Sequence, residues 1–276
     1  MKVSERGVLK CRQCDARRDS AHFRRVSPRE ITSAKSLGRA SLDVRFTRAL
    51  DLMWIAFQPI VSWEERRVVG YEALLRSEEP TLQNPSELLA TAERLGRLHE
   101  LGRAIRGRVA SEAVGAPRGV QIFVNLHAAD LNDDQLYIAG SAFANIAERV
   151  VLEITERASL EIVAGVEERM KRLRDCGFKI AVDDLGAGYA GLTSFTQLDP
   201  DIVKLDLSLI RGIEADPTKQ SIVRSMKSLC DELGVLVVAE GVEESCERDT
   251  LAGLGCDLLQ GFLFARPERG FPAPRW

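Results

Sequence analysis

The chain has 276 residues, 45% apolar and 29% charged, which suits one large α/β domain with a short extension, or two small domains. No apolar run reaches the roughly 18–20 residues that a membrane helix needs. The opening Met1-Lys2-Val3-Ser4-Glu5-Arg6 has no apolar h-region, so no signal peptide is read and the expected compartment is cytoplasmic. The net charge of −3 splits into a basic start, with 13 Lys and Arg against 5 Asp and Glu in residues 1–50, and an acidic remainder that argues against general nucleic-acid binding.

Residues 1–45 are rich in Arg and Ser and show no sustained apolar period. They are expected to be a basic N-terminal extension, partly disordered or a small CxxC element, with the folded domain over 46–276. Cys11-Arg12-Gln13-Cys14 has zinc-knuckle spacing, and His22 could add a third ligand. A lone CxxC is half a site, so Cys11 and Cys14 mark either a zinc or partner site in the tail or two unrelated thiols.

From Leu50 short apolar or β-branched runs alternate with helical patterns. Met53–Ile60 and Val68–Leu75 read as strands, and the charged turn Trp63-Glu64-Glu65-Arg66-Arg67 is short enough to make them an antiparallel hairpin. Glu87–Val114 reads as two helices broken near Gly96. Val120–Leu126 is a strand, Asp133–Glu148 helix or irregular, Val150–Ile154 a strand and Leu160–Asp175 a helix. Phe178–Asp183 and Ile202–Leu205 are strands, Lys219–Leu233 a helix, and Val235–Glu240 a strand. Glu243–Leu254 is a helix and Leu258–Gln260 a last short strand. Repeated βα units imply a parallel sheet. The predicted fold is therefore an α/β TIM-like barrel opened by an antiparallel hairpin.

Nearly every predicted strand runs out into a carboxylate, an amide or an ammonium: Glu72, Asn125, Glu153, Asp183-Asp184, Lys204, Glu240 and Gln260. In a barrel these ends converge on one mouth, where active sites sit. So many carboxylates in one cavity cannot all ionise without a counter-charge. Divalent cations are the simplest one, and an all-oxygen donor set favours Mg²⁺ or Mn²⁺. Helix capping by Asp and Glu explains one or two of these acids, but not the amides and lysine among them.

The chain resembles the EAL domain of cyclic di-GMP phosphodiesterases over about Leu50 to Pro267. The motifs that carry the resemblance are Phe57-Gln58-Pro59-Ile60, Tyr71-Glu72-Ala73-Leu74-Leu75-Arg76, Phe123-Val124-Asn125-Leu126 and Leu152-Glu153-Ile154-Thr155-Glu156. In the same order follow Ala181–Tyr189, Pro200–Asp206, Ala239-Glu240-Gly241-Val242-Glu243 and Gln260-Gly261-Phe262. The resemblance implies that Glu72, Asn125, Glu153 and Asp183 hold a first metal, and that Asp183, Asp184 and Glu240 hold a second. It implies that Lys204 orients the attacking water, and that Glu243 steers Lys204 or a metal-bound water. It also implies that Gln58, Arg76, Asp206 and Gln260 contact substrate, with Arg76 on a phosphate, and that Glu156 braces the glycine-containing loop Asp184–Ser194. His127, beside Asn125, is expected to point away from the metals, because strand faces alternate.

The implied reaction is hydrolysis of cyclic di-GMP to linear 5′-pGpG by in-line attack of a water activated by two Mg²⁺ or Mn²⁺ ions. A homodimer is implied as well. The alternative is a catalytically silent cyclic di-GMP receptor that signals through a partner, but no metal or lysine position is lost. A Schiff-base aldolase using Lys204 is disfavoured, since a lysine among several acids stays protonated.

Overall fold

Strand β1 (Met53–Ser62) opens a closed eight-stranded barrel that runs in chain order. It continues through β2 (Arg67–Ser77), β3 (Gln121–Asn125), β4 (Val150–Thr155), β5 (Lys179–Leu185), β6 (Ile202–Leu205), β7 (Leu236–Ala239) and β8 (Leu258–Gln260). The computed structural model describes residues 28–155, 163, 165–186 and 191–276. Strand β1 is antiparallel to both β2 and β8, and the remaining neighbours pair parallel. The predicted antiparallel hairpin is thus present, and it is built into the barrel wall.

Helices α1 (Pro28–Asp51), α2 (Pro85–Leu95), α3 (Leu98–Glu112), α4 (Val166–Asp175), α5 (Gly191–Leu198), α6 (Leu207–Ile210), α7 (Pro217–Leu233) and α8 (Ser245–Gly253) accompany the strands. Their ends follow local chemistry. Asn84 accepts the amide of Ser86, Pro85 takes the first turn of α2, and Gly96 closes it at φ 72°. Asp216, Pro217 and Gly234 do the same for α7. Ser41–Trp276 forms one compact unit, and the other, Met1–Ala40, is described only where α1 begins.

The inside of the barrel is layered by the two-residue period of a strand. Ile60, Phe123, Val151, Ala181, Ile202 and Val238 form one buried apolar layer. Two residues further towards the mouth on the same strands stand Gln58, Asn125, Glu153, Asp183, Lys204 and Glu240. On β1 the step is backwards, because that strand runs the other way. On β2 the lower position is Gly70, where a Cβ would meet Phe123 at 2.6 Å, and the residue above it is Glu72. The apolar floor excludes water beneath the polar ring.

Strand β2 runs two residues past the expected Leu75, to Ser77, which still pairs with Met53 of β1, so Glu72 lies well inside the strand. Asp133–Glu148, expected to be helix or irregular, contains the short 3-10 turns Asp134–Tyr137 and Ala144–Arg149. The segment read as a glycine-hinged loop up to Ser194 is already helical from Gly191. Helix α1 runs through the expected boundary at 45, and its final turns bury Phe46 and Ala49 against Leu88, Ala92 and Leu101. The expectations for Cys11, Cys14, His22 and Glu156 lie outside the described residues.

The mouth also depends on one close backbone approach. A Cβ on Gly261 would lie 1.9 Å from the carbonyl oxygen of Val242, and the Val242 amide donates to the Gln260 carbonyl at 3.0 Å. Gly261→Ala should therefore push the Val242 turn outward and cost about 1–3 kcal/mol. A thermal melt equal to wild type would contradict this packing.

Candidate active site

Lys204 on β6 is the hub of the mouth. Its Nζ lies 2.5 Å from Glu153 Oε1, 2.5 Å from Glu240 Oε1, 3.3 Å from Asp183 Oδ1 and 3.6 Å from Glu72 Oε2. Lys204 and Glu153 are both 0% exposed. One ammonium therefore faces four carboxylates, and the cluster keeps an excess of negative charge.

The titration behaviour follows from burial together with that excess. Burial by itself would depress Lys204, but the carboxylates, led by Glu153 and Glu240, outweigh it and hold the ammonium well above the ordinary lysine value. Burial raises Glu153 well above the carboxylate range, and Glu72 and Asp183 add to the rise while Lys204 opposes it. Glu240 is pushed up to about 8, first by burial and then by Asp183 and Glu72, against Lys204. An ammonium held this firmly is unsuited to Schiff-base chemistry.

The neighbouring amides tie the acids in place. Asn125 Nδ2 donates to Glu72 Oε1 and to Glu153 Oε2, both at 3.2 Å. Gln260 Nε2 donates to Glu72 Oε2 at 2.6 Å and to Gln58 Oε1 at 3.2 Å, and Gln58 Nε2 is anchored on the Ala265 carbonyl. Gln58, Glu72, Asn125, Glu153 and Gln260 are thus one bonded set.

Asp184 reaches the same place by a different route. Simple alternation would turn it away from Asp183. Instead the pairing of β5 with β6 slips between Val182 and Leu185, and Asp184 takes φ 58°. That left-handed residue brings carboxylate oxygens of Asp183, Asp184 and Glu240 within 4.8 Å of one another. Non-glycine residues adopt this conformation at a cost, which is a mark of functional sites.

The remaining predicted residues divide. Asp206 and Glu243 line a mouth cavity of about 350 Å³ together with Gln58, Glu72, Asp183, Asp184, Glu240 and Gln260. Asp206 also caps α6 by accepting the Ser208 amide. Glu243 does not pair with Lys204: its Oε1 lies 2.9 Å from Arg211 Nη2, at the rim. Arg76 lies in an adjoining cavity of about 610 Å³, which Asn125 and His127 also line. His127 is turned to local use, accepting the Ala129 amide on Nδ1. Sequence reasoning missed Arg211, Leu207 and Phe262, all of which line the mouth cavity. Phe262 was visible only as part of the Gln260-Gly261-Phe262 motif, and Arg211 stands in no motif at all.

The EAL domain model matches residues 43–267. The chain belongs to the EAL domain family. Within it, RocR of Pseudomonas aeruginosa, named as a cyclic di-GMP phosphodiesterase, is 32% identical over 224 residues, covering 76% of this chain and 56% of RocR. The manganese and cyclic di-GMP complex of Klebsiella pneumoniae BlrP1 at pH 6 is 34% identical with a TM-score of 0.70, over 81% of this chain and 59% of that one. A standalone EAL protein of Vibrio cholerae in its cyclic di-GMP-bound form is 27% identical with a TM-score of 0.68, over 81% of this chain and 95% of that one. This EAL domain chain spans less than half the length of the first three curated relatives it matches, at 30%, 44% and 31%. No helix among the described residues is long and apolar enough to cross a membrane.

Proposed function

We propose that this EAL domain hydrolyses cyclic di-GMP to linear 5′-pGpG and that it uses two divalent cations, Mg²⁺ or Mn²⁺. The observation that carries the reading is the four carboxylates crowded around Lys204 beside the Asp183–Asp184–Glu240 triad.

The residues fit such cations. Glu153 Oε1 and Asp183 Oδ1 are buried and turn towards the same Lys204 Nζ, at 2.5 and 3.3 Å, so two acids draw on one ammonium that Glu240 and Glu72 also share. The donors are all oxygens, with the Asn125 amide among them, which suits hard cations. Glu72, Asn125, Glu153 and Asp183 would hold one ion, and Asp183, Asp184 and Glu240 the other. Bound there, the cations would supply positive charge against the phosphoryl oxygens and favour ionisation of water near neutral pH.

The chain's own groups would then do the positioning. Lys204 would orient the attacking water by donating to its oxygen, with Glu243 acting from the rim. The water oxygen would bond to phosphorus as it gives up a proton to solvent, the bond from phosphorus to the ribose 3′-oxygen would break in line, and that oxygen would take a proton from solvent and leave as a hydroxyl. Gln58, Asp206 and Gln260 would hold the base and ribose in the mouth cavity, with Leu207 and Phe262, respectively 52% and 41% exposed, offering apolar surface to a planar base. Arg76, in the adjoining cavity, would contact the other phosphate.

The test is chromatography of cyclic di-GMP incubated with the chain and Mg²⁺ or Mn²⁺. Conversion to 5′-pGpG is expected, with loss on EDTA and recovery on added metal. Intact nucleotide with retained binding would overturn the reading in favour of a silent receptor.

A further inference from the structure

The mouth of the site is walled by acids, and among the described residues the one cationic side chain lining its cavity is Arg211. Its Nη2 lies 2.9 Å from Glu243 Oε1, and its Nη1 lies 3.5 Å from Oε1 of Glu247 on α8. Arg211 is half-exposed at 42%, but the Glu247 side chain is 2% exposed.

Glu247 is fully committed to local backbone. Its Oε2 accepts the amides of Glu243 at 2.9 Å and Glu244 at 3.1 Å, and its Oε1 accepts the amide of Gly212 at 3.0 Å. Burial would raise its pKa, but these amides and Arg211 outweigh burial and hold the carboxyl below its usual range. One buried carboxylate thus joins the turn that follows β7, which carries Glu243, to the turn that follows α6, which carries Arg211. The guanidinium closes the ring by gripping Glu243 from outside.

We propose that Glu247 and Arg211 are positioning residues that set the Glu243 carboxylate at the mouth. Neither touches the reacting atoms, and Arg211 acts through Glu243. The arrangement has a physical rationale: a half-exposed glutamate in a ring of acids is repelled outward, and a guanidinium fork anchored by a buried partner returns it to one orientation.

The inference rests on the phosphodiesterase reading above, and a double-mutant cycle separates the two. Wild type, Arg211→Ala, Glu243→Gln and the double variant are compared for kcat and KM with cyclic di-GMP and Mn²⁺. Arg211→Ala should lower kcat about tenfold with KM within about twofold, and the same change in the Glu243→Gln background should have almost no effect. Arg211→Lys should recover part of the loss, a rescue that a merely structural role of Arg211 would not give. Additive effects of Arg211→Ala and Glu243→Gln would overturn the proposal while leaving the phosphodiesterase reading intact. If wild type leaves cyclic di-GMP unchanged, the phosphodiesterase reading fails instead. The same four proteins are then compared for cyclic di-GMP affinity by calorimetry in Ca²⁺, where coupling upholds the positioning role and additivity, or absence of binding, overturns it.

Discussion

Lys204→Met should cost the metal-free protein about 3–5 kcal/mol, the penalty expected when one partner of a buried charge cluster is removed. Lys204 is 0% exposed and stands within 3.6 Å of four carboxylates. Methionine fills much of the same volume, so the loss reports charge and not a cavity. Divalent cations should narrow the gap, since they return positive charge to the same oxygens. Turnover should fall about a hundredfold to a thousandfold even with metal present, because a preorganised charge at the reacting centre is lost. Thermal melts with EDTA and with Mn²⁺, alongside product chromatography, make the comparison. A variant that melts like wild type in EDTA would show that Lys204 is not the counter-charge of this cluster.

Much of the site was legible because a strand repeats every two residues. The pairs Val151 and Glu153, Ala181 and Asp183, Ile202 and Lys204, and Val238 and Glu240 each place an apolar residue in the barrel floor and a polar one at the mouth. No property of the sequence other than that alternation is needed to gather them. Asp184 breaks the rule, and its place depends on a slip in pairing and a left-handed backbone that periodicity does not encode. Glu72 differs from the other acids in standing inside its strand and not at the end, since β2 pairs with β1 as far as Ser77. Arg211 was invisible for a different reason. It stands on a turn after α6, and its side-chain partners come from a turn after β7 and a buried residue of α8, which only tertiary packing brings together. Arg76 shows the opposite limit: its motif is plain, but its cavity adjoins the acidic one and does not coincide with it.

Asp183→Asn should separate stability from activity in a way that no purely structural role allows. Asp183 belongs to both proposed metal sets, yet in the metal-free chain it is one acid too many around a single ammonium. Removing its charge relieves repulsion with Glu153 and Glu240, both of which it pushes towards the neutral form. The variant should therefore melt at or slightly above the wild-type temperature in EDTA. Mn²⁺ at about 100 times its dissociation constant should stabilise wild type by roughly 2.7 kcal/mol through mass action. Asparagine keeps one neutral oxygen and cannot serve two cations as an anion, so most of that rise should vanish in the variant. Turnover should drop at least about a hundredfold with it, since the charge that opposes the developing phosphoryl charge is lost. Differential scanning fluorimetry across a Mn²⁺ series, together with turnover at each concentration, tests both halves. If the variant keeps the wild-type Mn²⁺ response, Asp183 is not shared between two ions and the site must be rebuilt around Glu72, Asn125 and Glu153 alone.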